Sequence, residues 1–421
     1  MKMEKYSLQQ TEIFAQNPEE KRKFFQIDLM KAIMIALVIM DHSFTHAFLR
    51  QYGSYFWERI AIPILMIIMG FNMGKSYKGK KFATLKEYYT RSYFESKLKR
   101  YMIPYLLLYV LHGIIRLIVT EAEVIVNSPA GYDLPSFRYI GFTFFYGPGL
   151  WFIPVLFGSI LVFPILYYNF NKNPKVTFGL TFAIEFLTHI VLLGAILIHN
   201  IGRSMDEYEP PMLFFILLYS LFILISSVGI GLWLSVDHDI TSKHNRILWV
   251  LFPISVVYMI LYFLEVLPIP FPMGDYQMFF FPYSAVIFMT LMKIVPPNPK
   301  GSFSHFIRKV SRATYHILLT QIFYFSIIFQ FFLIITDGNN STLDVFDANP
   351  LNYLWFYPLN LIITFGIGLL WKELEDRFYA KRDEKKSFQR IYQVTIILAG
   401  IAFVAWLVSS TIYTIISLIS L

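Results

Sequence analysis

Residues 26–46 read QIDLMKAIMIALVIMDHSFTH. From Ala32 to Met40 no side chain is charged or hydrogen-bonding, so the segment reads as an apolar helix with polar groups at its ends. Lys31 and His42 are eleven residues apart, and three helical turns take about 10.8, so one face carries both, roughly 16 Å apart along the axis. His46 follows one turn later on the same face. Ionisable groups inside a membrane span are costly, so Lys31, Asp41, His42 and His46 are functional candidates. Snorkelling to the interface also accounts for Lys31 alone. A structural hydrogen bond between helices is the competing account of Asp41 and His42. The pKa of histidine suits it to general-base work near neutrality.

Composition extends this reading to the whole chain. Of 421 residues, 56% are hydrophobic and 15% are charged, and the mean hydropathy is +0.53. Soluble domains carry about 25% charged residues. The apolar excess has to face lipid, which excludes a cytosolic enzyme, a secreted domain and a disordered chain. The chain has no cysteine, so disulfides, thiolate metal sites and a cysteine nucleophile are excluded. No metal site, Walker loop, dinucleotide fingerprint or HExxH is present in the sequence.

About twenty apolar residues are needed to cross the hydrocarbon as a helix. Eleven such stretches occur, at about 27–49, 55–74, 101–120, 150–168, 176–198, 211–235, 247–266, 277–295, 313–336, 352–371 and 391–416. An all-α polytopic membrane bundle follows, since open sheets leave backbone groups unpaired in lipid. With the N-terminus cytoplasmic, 30 of the 36 Lys+Arg fall on the cytoplasmic side and only Arg50, Arg138 and Arg203 on the outer side. That asymmetry obeys the positive-inside rule, so the net charge of +8 reports topology and lipid contact, not nucleic acid. The expected organisation is a polar cytoplasmic segment 1–23, a ten-helix domain 24–371, a charged cytoplasmic linker 372–390 and an appended anchor helix in 391–421. Asn339-Asn340-Ser341-Thr342 offers sequons on an outer loop.

Other polar groups stand inside the spans. Glu58-Arg59 lies near the outer end of the second, where an interfacial pair is an equal reading. His112 and Arg116 are i,i+4 on the third, as are Glu185 and His189 on the fifth. The latter pair reads first as a structural contact. Lys97-Leu98-Lys99-Arg100 runs into the third span, where it meets either lipid phosphates or those of an anionic cofactor. The Gly/Pro-interrupted aromatic stretch Tyr139–Trp151 suits a site-lining segment or a plain loop.

These motifs, in this order, resemble the membrane acyltransferase-3 family. The first helix of that family carries an arginine, ten residues, then a histidine, similar to Ile27-Asp28-Leu29-Met30-Lys31 followed by His42-Ser43. Ile62-Pro63 through Gly70-Phe71 resembles its next element. Lys97-x-x-Arg100 with Pro104-Tyr105 is similar to its cytoplasmic Arg-x-x-Arg and Pro-Tyr. Gly149-Leu150-Trp151-Phe152-Ile153 and Ala313-Thr314-Tyr315-His316-Ile317 resemble two later elements. Lys31 and Lys97 stand where the family has arginine, which keeps charge but loses the bidentate fork. Gln321 stands where many relatives have histidine.

The resemblance implies a multi-pass cell-membrane O-acyltransferase with no permanently bound cofactor. Its co-substrate is acyl-CoA, acetyl-CoA in the first place, and its acceptor is an extracytoplasmic hydroxyl on a glycan, lipid or small molecule. His42 and Asp41 then carry the catalysis, and Lys31, Lys97, Lys99 and Arg100 hold the CoA phosphates. Glu58, Arg59, His46, Arg116, Trp151 and Tyr315 are the expected substrate contacts. Because neighbouring helical residues point about 100° apart, a direct Asp41–His42 bond is not expected. A transporter or flippase using the intramembrane His, Asp and Arg residues, or a non-catalytic relative, are the readings left open.

Overall fold

A computed structural model describes residues 24–78, 84–120, 149, 151–199, 220–264, 266, 277–335, 350–384 and 386–420. Every regular element among them is helical. The expectations for residues 1–23, for the outer loops 121–148, 201–210 and 337–349, and for the side chains of His46 and Arg116 lie outside the described residues.

The helices are α1 (Phe25–Asp41), α2 (His46–Gln51), α3 (Ala61–Tyr77), α4 (Arg91–Lys97), α5 (Ile103–Thr120), α6 (Phe152–Lys172), α7 (Pro174–His199), α8 (Ile225–Val236), α9 (Arg246–Phe263), α10 (Phe281–Ile294), α11 (Ser302–Ile335), α12 (Tyr353–Glu384) and α13 (Lys386–Ser420). A π-helical turn, Leu98–Met102, joins α4 to α5. Among the described residues five helical stretches are long and apolar enough to cross a membrane: Ser54–Tyr77, Phe152–Lys172, Lys243–Phe263, Tyr353–Lys381 and Lys386–Ser409.

Packing fixes the relative directions. Asp28 meets Ser311, and fourteen residues on in both helices His42 meets Phe325, so α1 and α11 run parallel. Likewise α3 and α8 are parallel: a side chain on Gly70 would strike the Val228 carbonyl, one on Gly231 the Ile67 carbonyl, and one on Gly74 the Ser235 hydroxyl. Those glycines let two backbones touch, which is how helices associate where no hydrophobic drive separates protein from lipid. Meanwhile α11 and α12 are antiparallel, through Ile317–Gly368 and Tyr324–Asn360. Consecutive α7 and α8 are antiparallel as well, through Thr181–Gly229 and Glu185–Ser226.

One expectation changes, and two others gain detail. The stretch 27–49 is not one helix: α1 ends at Asp41 and His42 is its C-cap. Thr45 then starts α2, its hydroxyl accepting from the Phe48 N–H at 3.1 Å. His46 therefore opens a new helix and does not continue the His42 face. The charged stretch 372–390, expected as a linker, is helical in its described residues, since α12 runs to Glu384 and α13 begins at Lys386. Lys372 pairs with Glu375 and Asp376, and Arg377 with Glu373, along a continuous α12. Helix α13 packs on the bundle through Trp406, which is fully buried against Phe157 of α6, ring centroids 5.5 Å apart.

Candidate active site

The site forms where α1 stops. Ser43 donates its hydroxyl to the Ile39 carbonyl at 2.6 Å, satisfying an acceptor that the helix end would otherwise leave orphaned. That hydroxyl in turn accepts from the Asn360 side-chain amide of α12 at 3.0 Å, and the Asn360 carbonyl oxygen accepts from Tyr324 of α11 at 2.9 Å. One buried asparagine thus ties three helices together next to His42.

Asp41 closes α1 at its negative end, where the helix dipole disfavours a carboxylate. Arg59 offsets this, its Nη1 standing 3.1 Å from Asp41 Oδ1. The same guanidinium reaches Glu58 at 3.2 Å. All three residues are buried. Glu58 and Arg59 lie in the membrane-length stretch Ser54–Tyr77, in the turn between the short 3-10 helix Ser54–Phe56 and α3. Among the described residues they and Asp41 form a buried cluster of two carboxylates and one guanidinium.

His42 sits over this cluster. Its Nδ1 lies 3.7 Å from Asp41 Oδ2, an ion-pair approach but beyond hydrogen-bond reach. Its Nε2 faces the other way, toward Gly149. A side-chain carbon placed on Gly149 would lie 3.5 Å from that nitrogen and 3.7 Å from Gln321 Oε1. Gly149 has φ +86°, which favours glycine, so the backbone requires it there, while a Cβ would make only ordinary contacts. Phe325 closes one side edge-on at 6.1 Å. Trp151, two residues beyond Gly149, is half-buried.

The basic residues gather at the other end of α1. Lys31 lies where the charges of Arg100 and Asp28 act on it. Lys97 stands over the rings of Tyr93 and Tyr101, at 5.5 and 5.9 Å, and burial draws its pKa below the usual lysine range, with Arg100 adding to the effect. Lys99 lies 3.4 Å from the centre of the Tyr379 ring, and Arg100 is exposed on the π-turn. Such turns mark functional positions in helices more often than elsewhere. Tyr315 belongs to this end, not to His42: its hydroxyl donates to the Tyr101 carbonyl at 2.8 Å.

Two further histidine–carboxylate pairs lie elsewhere. Glu185 accepts from both the N–H and the hydroxyl of Ser226, at 2.9 and 2.6 Å, and so caps α8 from the neighbouring helix. His189 is 3.8 Å from that carboxylate. His316 Nε2 lies 3.1 Å from Glu375 Oε2, near Lys372. Asn360, Ser43, Glu375 and Gln321 did not stand out as site residues in the sequence. Asn360 is a single polar residue among apolar neighbours, Glu375 is one charge among several in its helix, and Ser43 was noted only as the residue after His42. Gln321 drew notice only as a family departure. Among the described residues no group of His, Cys, Asp and Glu side chains gathers to hold a metal.

A family model described as an acyltransferase domain matches residues 24–373. Neither a curated protein nor a solved structure matches the chain.

Proposed function

This chain belongs to the acyltransferase-3 family, and on that premise we propose that it moves an acyl group from cytoplasmic acyl-CoA to a hydroxyl on the outer side of the cell membrane. The N-terminus is then cytoplasmic, and eleven spans place the Lys31 end at the donor side and the His42 end toward the acceptor. The acceptor class is a glycan, lipid or small-molecule hydroxyl, and an acetyl group is the first donor to test.

What supports the reading most is the orientation of His42. Nδ1 faces a carboxylate and Nε2 is turned toward the backbone of Gly149. An imidazole with its proton on Nδ1 keeps Nε2 as the base. Nε2 takes the acceptor hydroxyl proton as the oxygen bonds to the thioester carbon. When the carbon–sulfur bond breaks, the imidazolium returns that proton to the CoA sulfur. Asp41 stabilises the imidazolium across 3.7 Å, and Arg59 holds Asp41 in place. Arg100, Lys97 and Lys31 neutralise the CoA phosphates, with Lys99 adding charge from its seat on Tyr379.

The test uses the full chain in lipid nanodiscs. The protein has no cysteine, so a thiol reagent reads only released CoA. Acyl-CoA with an acceptor panel should release thiol, and His42→Ala should lower the rate at least a hundredfold while leaving the melting temperature near that of the parent. Full activity in His42→Ala would remove His42 from the chemistry. Absence of acyl-CoA binding would remove the donor.

A further inference from the structure

Pro164 lies inside α6. Proline has no N–H and its ring crowds the carbonyl four residues back, so the Ile160 carbonyl loses its helical donor and its neighbour is loosened. In an apolar bundle a bare carbonyl is expensive. Both are met from outside the helix. Tyr93 donates its hydroxyl to the Ile160 carbonyl at 2.8 Å, and Tyr89 donates to the Leu161 carbonyl.

These tyrosines belong to the segment that leads into the basic turn. Thr90 caps α4, its hydroxyl accepting from the Tyr93 N–H at 3.1 Å, which sets Tyr93 in the first turn. The π-turn Leu98–Met102 follows without a break. The ring of Tyr93 also lies under the Lys97 ammonium. One side chain therefore ties the α6 backbone to a basic residue of the turn. Burial raises the pKa of both phenols, Tyr89 to about 12 and Tyr93 further, so each keeps the proton it donates.

We propose that Tyr89 and Tyr93 are positioning residues, clamping the Lys97–Arg100 turn to the carbonyls that Pro164 releases in α6. The kinetic part of this inference rests on the donor-binding role given above to that turn; the structural part does not. A helix with alanine at 164 regains the N–H that competes for Ile160, so Pro164→Ala and Tyr93→Phe act on one link and should not add.

The experiment places a spin label at Ser96→Cys, an exposed position on α4 in a chain with no other cysteine. In the full chain in nanodiscs, Tyr93→Phe and Pro164→Ala should each make the label more mobile. Each should raise the KM for acyl-CoA on the order of fivefold, the factor that one hydrogen bond is worth, with kcat within twofold. The double variant should match either single one. Tyr93→Leu, which also removes the ring beneath Lys97, should raise KM further. An unchanged label together with unchanged KM in Tyr93→Phe overturns the clamp, whether or not Pro164→Ala folds. A loosened label in a chain that binds no acyl-CoA upholds the clamp and overturns the donor reading instead.

Discussion

Arg59 reaches back across the break after α1 to place its guanidinium 3.1 Å from the carboxylate of Asp41, and it is the shared cation of Asp41 and Glu58. Removing one partner of a buried ion pair costs about 3–5 kcal/mol, because the charge left behind stays out of water. Arg59→Ala should therefore lower the melting temperature sharply in detergent. Adding Asp41→Asn and Glu58→Gln should recover most of that loss without recovering acyl transfer. Equal stability of Arg59→Ala and the parent would show that the cluster is not held by charge.

Asn360 makes a separate prediction. Asn360→Leu removes the acceptor of Tyr324 and the donor to Ser43. Each buried polar group stripped of its partner costs about 1–3 kcal/mol. Because Ser43 adjoins His42, kcat should fall about tenfold or more while KM for acyl-CoA holds. Steady-state kinetics that show the loss in KM instead would move Asn360 out of the His42 neighbourhood.

Gly149 is constrained by its φ of +86°, and a side chain there would point at His42 Nε2 and Gln321. Gly149→Ala should cost about 1–2 kcal/mol from backbone strain. Gly149→Val should also block the space between base and amide and abolish transfer. Gly179→Ala is the control, since nothing lies within 4 Å of a side chain there. Wild-type turnover in Gly149→Val would place the reaction elsewhere.

His238 gives a pH dependence. It packs edge-on against Phe24 and Phe71, on the loop after α8. Burial lowers its pKa below 6.5, Lys75 adds to this, and Asp237 and Asp239 oppose it. The unfolded chain therefore binds this proton at a higher pH than the folded one, so stability falls as pH drops through 6.5 and is unaffected above it. The melting temperature should decline between about pH 7 and 5, and His238→Phe should flatten that decline. An identical slope in the variant would exclude His238 as its source.

The helices were legible in the sequence because apolar runs of span length have few alternatives in lipid. The break after Asp41 was not, since Asp-His-Ser-Phe-Thr contains neither proline nor glycine and Thr45 reads as an ordinary residue until its hydroxyl is seen on Phe48. His42, Asp41 and Arg59 were found because charge is scarce inside spans. Gln321 and Asn360 are uncharged, and their weight comes from what other helices bring to them. Tyr89 and Tyr93 carry no local signal, since their partners are backbone carbonyls 72 and 67 residues away.

Parallel α1 and α11 make contact at Asp28–Ser311 and again at His42–Phe325, so their spacing behaves as a gauge built from two rigid rods. Lys31 and His42 are held about 16 Å apart by helical rise alone. A donor that uses both ends must carry its charge and its reactive carbon at that separation. Selection then falls on the length of the arm between them, and a shorter thioester bearing the same acyl group would be anchored without reaching the base.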